Sequence, residues 1–123
     1  MLVLAPMGRL TTHVLDTAHG IPGAGMRIAL HRHWGGRYDW IKDDVTNDLG
    51  RCAVPLLEGA AFVAGRYRLV FAAGAYFTAR GVALPEPPFV DEVVLDFGVA
   101  DAAADYHVPL LVSPWSYSTY RGS

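Results

Sequence analysis

Apolar and polar residues alternate with a period of two along most of the chain. Between Gly25 and Trp34, Met26, Ile28 and Leu30 alternate with Arg27, Ala29 and His31, the spacing of a half-buried strand. Gly35-Gly36 reads as a turn, and Arg37 to Val45 as the returning strand. The pattern recurs in Tyr67, Leu69 and Phe71 of the segment Arg66 to Phe71, in Val93, Leu95, Phe97 and Val99, and in Tyr106, Val108, Leu110 and Val112. Three further segments complete a set of eight short strands: Arg9 to Asp16, an edge strand Cys52 to Leu57 interrupted by Pro55, and Trp115 to Tyr120. Only Ala72 to Arg80 lacks alternation and is rich in good helix formers, which predicts a helix of about two turns. The chain therefore predicts an all-β fold, an antiparallel sandwich or barrel with one short helix.

Length and composition narrow this further. At 123 residues the chain is a single domain, 1–123, with a short N-terminal extension over residues 1–8. A 52% hydrophobic share with 18% charged residues excludes disorder and hints at apolar surface shared between subunits. The net charge of −2 and the absence of a basic run leave nothing to attract a phosphate backbone, so nucleic acid is not expected as a partner. No window approaches the roughly 20 apolar residues of a membrane helix, so no membrane partner is expected either. Met1-Leu-Val-Leu-Ala-Pro6 lacks the cationic lead and the length of a signal peptide, which makes the cytoplasm the default location. The single Cys52 cannot form an internal disulfide and reads as a packing residue.

Candidate chemistry sits on the polar positions of otherwise apolar strands. His107 lies opposite the apolar face made by Tyr106, Val108 and Leu110, and His13 stands within Leu10-Thr-Thr-His-Val-Leu-Asp16. Two imidazoles brought to one cavity would support general acid–base catalysis near neutral pH. Arg51 follows the turn Asn47-Asp48-Leu49-Gly50 directly, a placement that could aim its guanidinium into a cleft. His31 and His33 share one strand face, but no third ligand has comparable placement, so they are predicted to face solvent and no metal site is expected. His19, in His19-Gly20-Ile21-Pro22-Gly23, reads as a loop residue. The C-terminal stretch Ser113 to Ser123 is dense in hydroxyls and aromatics, unusual for a chain end, and is expected to be ordered.

Three separated segments together resemble one family, the 5-hydroxyisourate hydrolases or transthyretin-related proteins. Leu10-Thr-Thr-His-Val-Leu-Asp-Thr-Ala-His-Gly-Ile-Pro22 is similar to the family's opening signature, with His13 as its functional histidine. Thr46-Asn-Asp-Leu-Gly-Arg51 is similar to its Thr-Asn-x-Asp-Gly-Arg turn, with Leu49 in place of the usual Asp. Tyr106-His-Val-Pro-Leu-Leu111 and the terminal Tyr120-Arg-Gly-Ser123 resemble the segments that hold the second histidine and the closing tetrapeptide, with Asp105 where a His commonly stands.

The resemblance implies a transthyretin-like sandwich of two four-stranded antiparallel sheets with one short helix. It further implies a homotetramer, a dimer of dimers, with sites in the channel between dimers. The implied reaction is hydrolysis of 5-hydroxyisourate to 2-oxo-4-hydroxy-4-carboxy-5-ureidoimidazoline in urate degradation, with no metal or organic cofactor. His13, Arg51, His107 and Tyr120 would be catalytic; Arg51, Tyr120, Arg121, Gly122 and Ser123 would hold the substrate. The alternative within the same fold is a non-enzymatic carrier of a small molecule.

Overall fold

The computed structural model describes residues 7–123. Its strands are β1 (Arg9–Asp16), β2 (Ile21–Pro22), β3 (Arg27–Trp34), β4 (Arg37–Val45), β5 (Leu57–Glu58), β6 (Gly65–Ala72), β7 (Glu92–Val99), β8 (Tyr106–Val112) and β9 (Tyr117–Thr119). The helix α1 spans Ala73–Ala79, between β6 and β7. One sheet has the order β2-β1-β8-β9, with β5 also paired to β1, and the other has the order β4-β3-β6-β7. This is the expected two-sheet sandwich with one helix, except that the first sheet has five strands rather than four because β2 and β5 both pair with β1; the expected strands at Arg9, Arg37 and Tyr106 begin at those residues.

Four details differ from the alternation pattern. Of the strand expected over Cys52 to Leu57 only Leu57 is paired, in β5 together with Glu58, because Pro55 has no N–H for a ladder. The two-residue β2 was not expected, and the last strand narrows to Tyr117–Thr119. Finally, β1 and β8 run parallel, pairing Leu10 with Tyr106 and Thr11 with His107. Alternation dictates which face a side chain takes but not strand direction, and no tight turn links these distant segments to force them antiparallel.

The two sheets bury the alternating apolar sets against each other. Leu10 and Val14 of β1 meet Ile28 and Leu30 of β3, Tyr67, Leu69 and Phe71 of β6, and Leu110 and Val112 of β8. Each large side chain fully buried here contributes about 1.5–3 kcal/mol relative to exposure. Helix α1 closes one end through Tyr76 and Phe77. Of the extension expected over residues 1–8, residues 1–6 lie outside the described residues; Gly8 is buried, and its N–H donates to the Ala102 carbonyl at 3.0 Å.

Burying one face of each strand leaves the other available. On β1, Leu10, Thr12, Val14 and Asp16 are buried while Thr11, His13 and Leu15 are only half-buried. On β8, His107 and Leu111 are the half-buried pair. The parallel register sets Thr11 beside His107 and His13 beside Pro109, so both histidines stand on the outward face of the same sheet.

Candidate active site

His13 and His107 approach each other with ring centroids 6.5 Å apart. Each ring has one nitrogen committed. His13 Nε2 lies 2.9 Å from the Leu49 carbonyl oxygen, and His107 Nδ1 lies 2.8 Å from Thr11 Oγ1. A carbonyl only accepts, so neutral His13 carries its proton on Nε2 and its lone pair on Nδ1.

The turn before Arg51 brings the third group. The backbones of His13 and Arg51 form an antiparallel bridge, and the Val14 N–H donates to the Gly50 carbonyl at 2.8 Å. Gly50 has φ +75°, and a Cβ there would fall 2.3 Å from the Val14 carbonyl oxygen. Glycine is therefore required both for the left-handed backbone and for the close approach to β1. Among the described residues the Arg51 side chain makes no hydrogen bond or ion pair, so its charge remains available.

That charge is felt by both rings. Burial, then the Arg51 guanidinium, hold His13 below the ordinary histidine pKa, while the hydrogen bond to the Leu49 carbonyl pulls the other way. Burial, then Arg51, then His13 lower His107 in the same direction. Both imidazoles are consequently neutral at neutral pH and able to accept a proton, beside a cation suited to a developing negative charge.

The C-terminus closes on His107 through its backbone. The Gly122 N–H donates to the His107 carbonyl at 2.7 Å, and a Cβ on Gly122 would lie 2.7 Å from His107 Cδ2. The tail is ordered, as expected, but its side chains go elsewhere. The Arg121 guanidinium stacks 4.0 Å over the Tyr106 ring and donates to the Asp105 carbonyl at 3.2 Å. Tyr106 alternates with His107 on β8, which puts Arg121 on the other side of that strand. Because the Asp105 contact is made by backbone, the side chain at that position is immaterial to it. Tyr120 and Arg121 line a groove of about 420 Å³ between β7 and the C-terminal segment, with Val94 and Phe97 on its far wall. One chain thus assembles His13, His107, Arg51 and Gly122, but not the side chains of Tyr120 and Arg121.

Thr11, Asn47 and the Leu49 carbonyl belong to this site and were not singled out from the sequence. The turn-forming string at Asn47 was the available signal. Cys52 stands next to Arg51, but burial and the Asp44 carboxylate push its thiol up to about 12, so it stays protonated. His31 and His33 lie on β3 in the other sheet, where His33 packs edge-on against Tyr38.

The family model described as HIUase/Transthyretin matches residues 10–122, spanning both histidines, the Arg51 turn and the tail. The chain belongs to the HIUase/Transthyretin family. It is 61% identical over 118 residues to a 5-hydroxyisourate hydrolase of Pseudomonas aeruginosa, covering 96% of this chain and 94% of that protein. Among solved structures of the same fold, an (S)-allantoin synthase superposes with TM-score 0.91 at 46% identity; the match covers 97% of this chain but only 45% of that one. Sea bream transthyretin in complex with thyroxine superposes with TM-score 0.82 at 27% identity, covering 93% of this chain and 94% of that one.

Proposed function

We propose that this member of the HIUase/Transthyretin family hydrolyses 5-hydroxyisourate to 2-oxo-4-hydroxy-4-carboxy-5-ureidoimidazoline. The observation that carries the reading is the outward-facing set of two neutral imidazoles and one uncommitted guanidinium. The 61% identity to a hydrolase supplies the substrate.

In this reading, one imidazole accepts a proton from water as the water oxygen adds to a ring carbonyl carbon. The C–N bond then breaks and the proton passes to the departing nitrogen, consuming one water. Positioned proton transfer of this kind is worth about 10²–10⁴-fold in rate. Arg51 binds the oxygen on which negative charge develops, and its always-protonated guanidinium, left without another partner among the described residues, suits that task. The Gly122 contact holds the tail against His107, and in this reading the next residue, Ser123, orients the substrate.

A homotetramer, a dimer of dimers, is part of the proposal. The hollow that adjoins this face, lined by Thr11 and Arg51 but by neither histidine, measures about 130 Å³, well below the roughly 300–1,000 Å³ of a ligand pocket. A second subunit facing this sheet would complete the enclosure and exclude water.

The decisive experiment follows the loss of ultraviolet absorbance of freshly generated 5-hydroxyisourate on adding purified protein. A rate no faster than spontaneous decay rejects the assignment. The likeness to a thyroxine-bound transthyretin favours a carrier as second reading, and calorimetry with thyroxine in the same preparation separates the two.

A further inference from the structure

The turn that delivers Arg51 is organised by a side chain that itself touches neither histidine. Asn47 makes four hydrogen bonds within five residues of chain. Its N–H donates to the Arg51 carbonyl at 2.7 Å, and its carbonyl accepts from the Gly50 N–H at 2.9 Å. Its Oδ1 accepts from the Leu49 N–H at 3.0 Å and from the Arg51 N–H at 3.1 Å. A side-chain oxygen accepting two residues ahead and again four ahead winds the backbone around itself.

Two site groups hang from that winding. The carbonyl of Leu49, the residue whose N–H Asn47 Oδ1 binds, is the acceptor for His13 Nε2, and the Gly50 N–H of the same peptide unit is held by the Asn47 main-chain carbonyl. Arg51, whose N–H is held by the same oxygen, bridges to the His13 backbone. Leu49 takes part through its backbone, so the residue type at 49 does not alter the acceptor. The type at 47 does, because only a side chain with an acceptor at that reach can bind both N–H groups.

We propose that Asn47 is a positioning residue for the hydrolysis, holding the Leu49 carbonyl so that neutral His13 keeps its proton on Nε2 and its lone pair on Nδ1. The proposal rests on the hydrolase reading for its kinetic consequence, but the tautomer of His13 can be read without substrate. The ring ¹⁵N shifts of His13 in the wild-type protein above its titration should be those of the Nε2–H form. An Nδ1–H form overturns the proposal whatever the activity.

Asn47→Ala should shift His13 towards a tautomer mixture, leave the His107 ring shifts in place and lower kcat/KM by about tenfold or more. Asn47→Asp keeps the acceptor oxygen and should retain the Nε2–H form, with kcat/KM within about threefold of wild type. An Asn47→Ala protein with wild-type tautomer and kcat/KM within about twofold overturns the proposal. If Asn47→Ala does not fold, Asn47→Asp decides: loss of the Nε2–H form in that variant also overturns it. An inactive wild-type protein would reject the hydrolase reading and leave the tautomer result to decide this one.

Discussion

Two clusters in this molecule pair a histidine with an oxygen, and they end in opposite conditions. At one end of β1, the buried Asp16 carboxylate accepts from His19 Nδ1 at 2.6 Å, from the Tyr76 hydroxyl at 2.8 Å and from the N–H groups of Ala18 and His19 at 3.0 Å. Arg80 Nε stands 3.7 Å away. On the outward face of the same sheet, His13, His107 and Arg51 gather with one hydrogen bond per ring and none to the guanidinium. The first cluster is saturated. Every strong acceptor site on Asp16 has a donor, and the carboxyl is held below its ordinary pKa because these hydrogen bonds outweigh the burial that alone would raise it. Burial and Asp16 push Tyr76 up to about 12, so it remains a donor. A saturated cluster ties the β1–β2 loop to α1. The unsaturated one has bonding capacity left over, and that difference is what the proposed catalytic role of His13 and His107 rests on.

Exchanging alanine for each histidine should break the comparison cleanly. His107→Ala is expected to lose about 10²–10⁴-fold in kcat/KM with little change in Tm. His19→Ala should keep kcat/KM within about twofold while lowering Tm. Calorimetry beside the absorbance assay reads both, and a loss of activity in His19→Ala would show that the clusters are coupled. The next largest effect is in stability. Asp16→Ala strands the Tyr76 hydroxyl and two backbone N–H groups, and should cost about 3 kcal/mol in denaturant unfolding.

The pH dependences of the two clusters differ in kind. Asp16 has a lowered carboxyl pKa, so its contribution is present above the unfolded carboxylate value of about 3.9 and is lost as pH falls through the still lower folded value. Tm of the wild type should therefore drop steeply below about pH 4, and Asp16→Asn should flatten that drop. His13 and His107 are lowered too, which costs stability as pH falls through the ordinary histidine range, and in the proposed reaction the lowering also shows in activity. The acid limb of kcat/KM should lie below the ordinary histidine value of about 6.5, and Arg51→Met, which removes a cause of the lowering, should move it upward. An unchanged limb would separate Arg51 from the titrating groups. The smallest effect concerns Cys52, half-buried and held protonated. Cys52→Ala should cost no more than about 1 kcal/mol and leave turnover intact; a large loss of turnover would give the thiol a role that its protonation denies.

Much of the fold could be read from alternation alone. The apolar sets Met26, Ile28, Leu30 and Tyr67, Leu69, Phe71 are buried as their period requires, because a strand with one apolar face has few ways to hide it. Pro55 lies in a stretch where the strand expected over Cys52 to Leu57 does not form: only Leu57 pairs, in β5 with Glu58. The site was legible in its residue types and illegible in its supports. His13, His107 and Arg51 stand out as polar groups in apolar surroundings. Thr11 looks like any strand threonine, Asn47 like any turn residue, and a backbone carbonyl has no letter in the sequence. Tyr120 and Arg121 show the reverse problem: the terminal motif is visible, but the direction its side chains take within one chain is not.

The sequence by itself determined which faces are apolar, where the turns fall, and which side chains can exchange protons or carry a fixed charge at neutral pH. These are local properties, set by side-chain chemistry and by the period of the strand. Only the tertiary structure decided that β1 and β8 run parallel and in a register that puts Thr11 beside His107, that Gly50 can approach Val14 closely enough to bring Arg51 in, and that Gly122 closes on His107. Those are relations between segments up to 96 residues apart. They are fixed by the packing of two sheets as a whole, which no single stretch of sequence encodes.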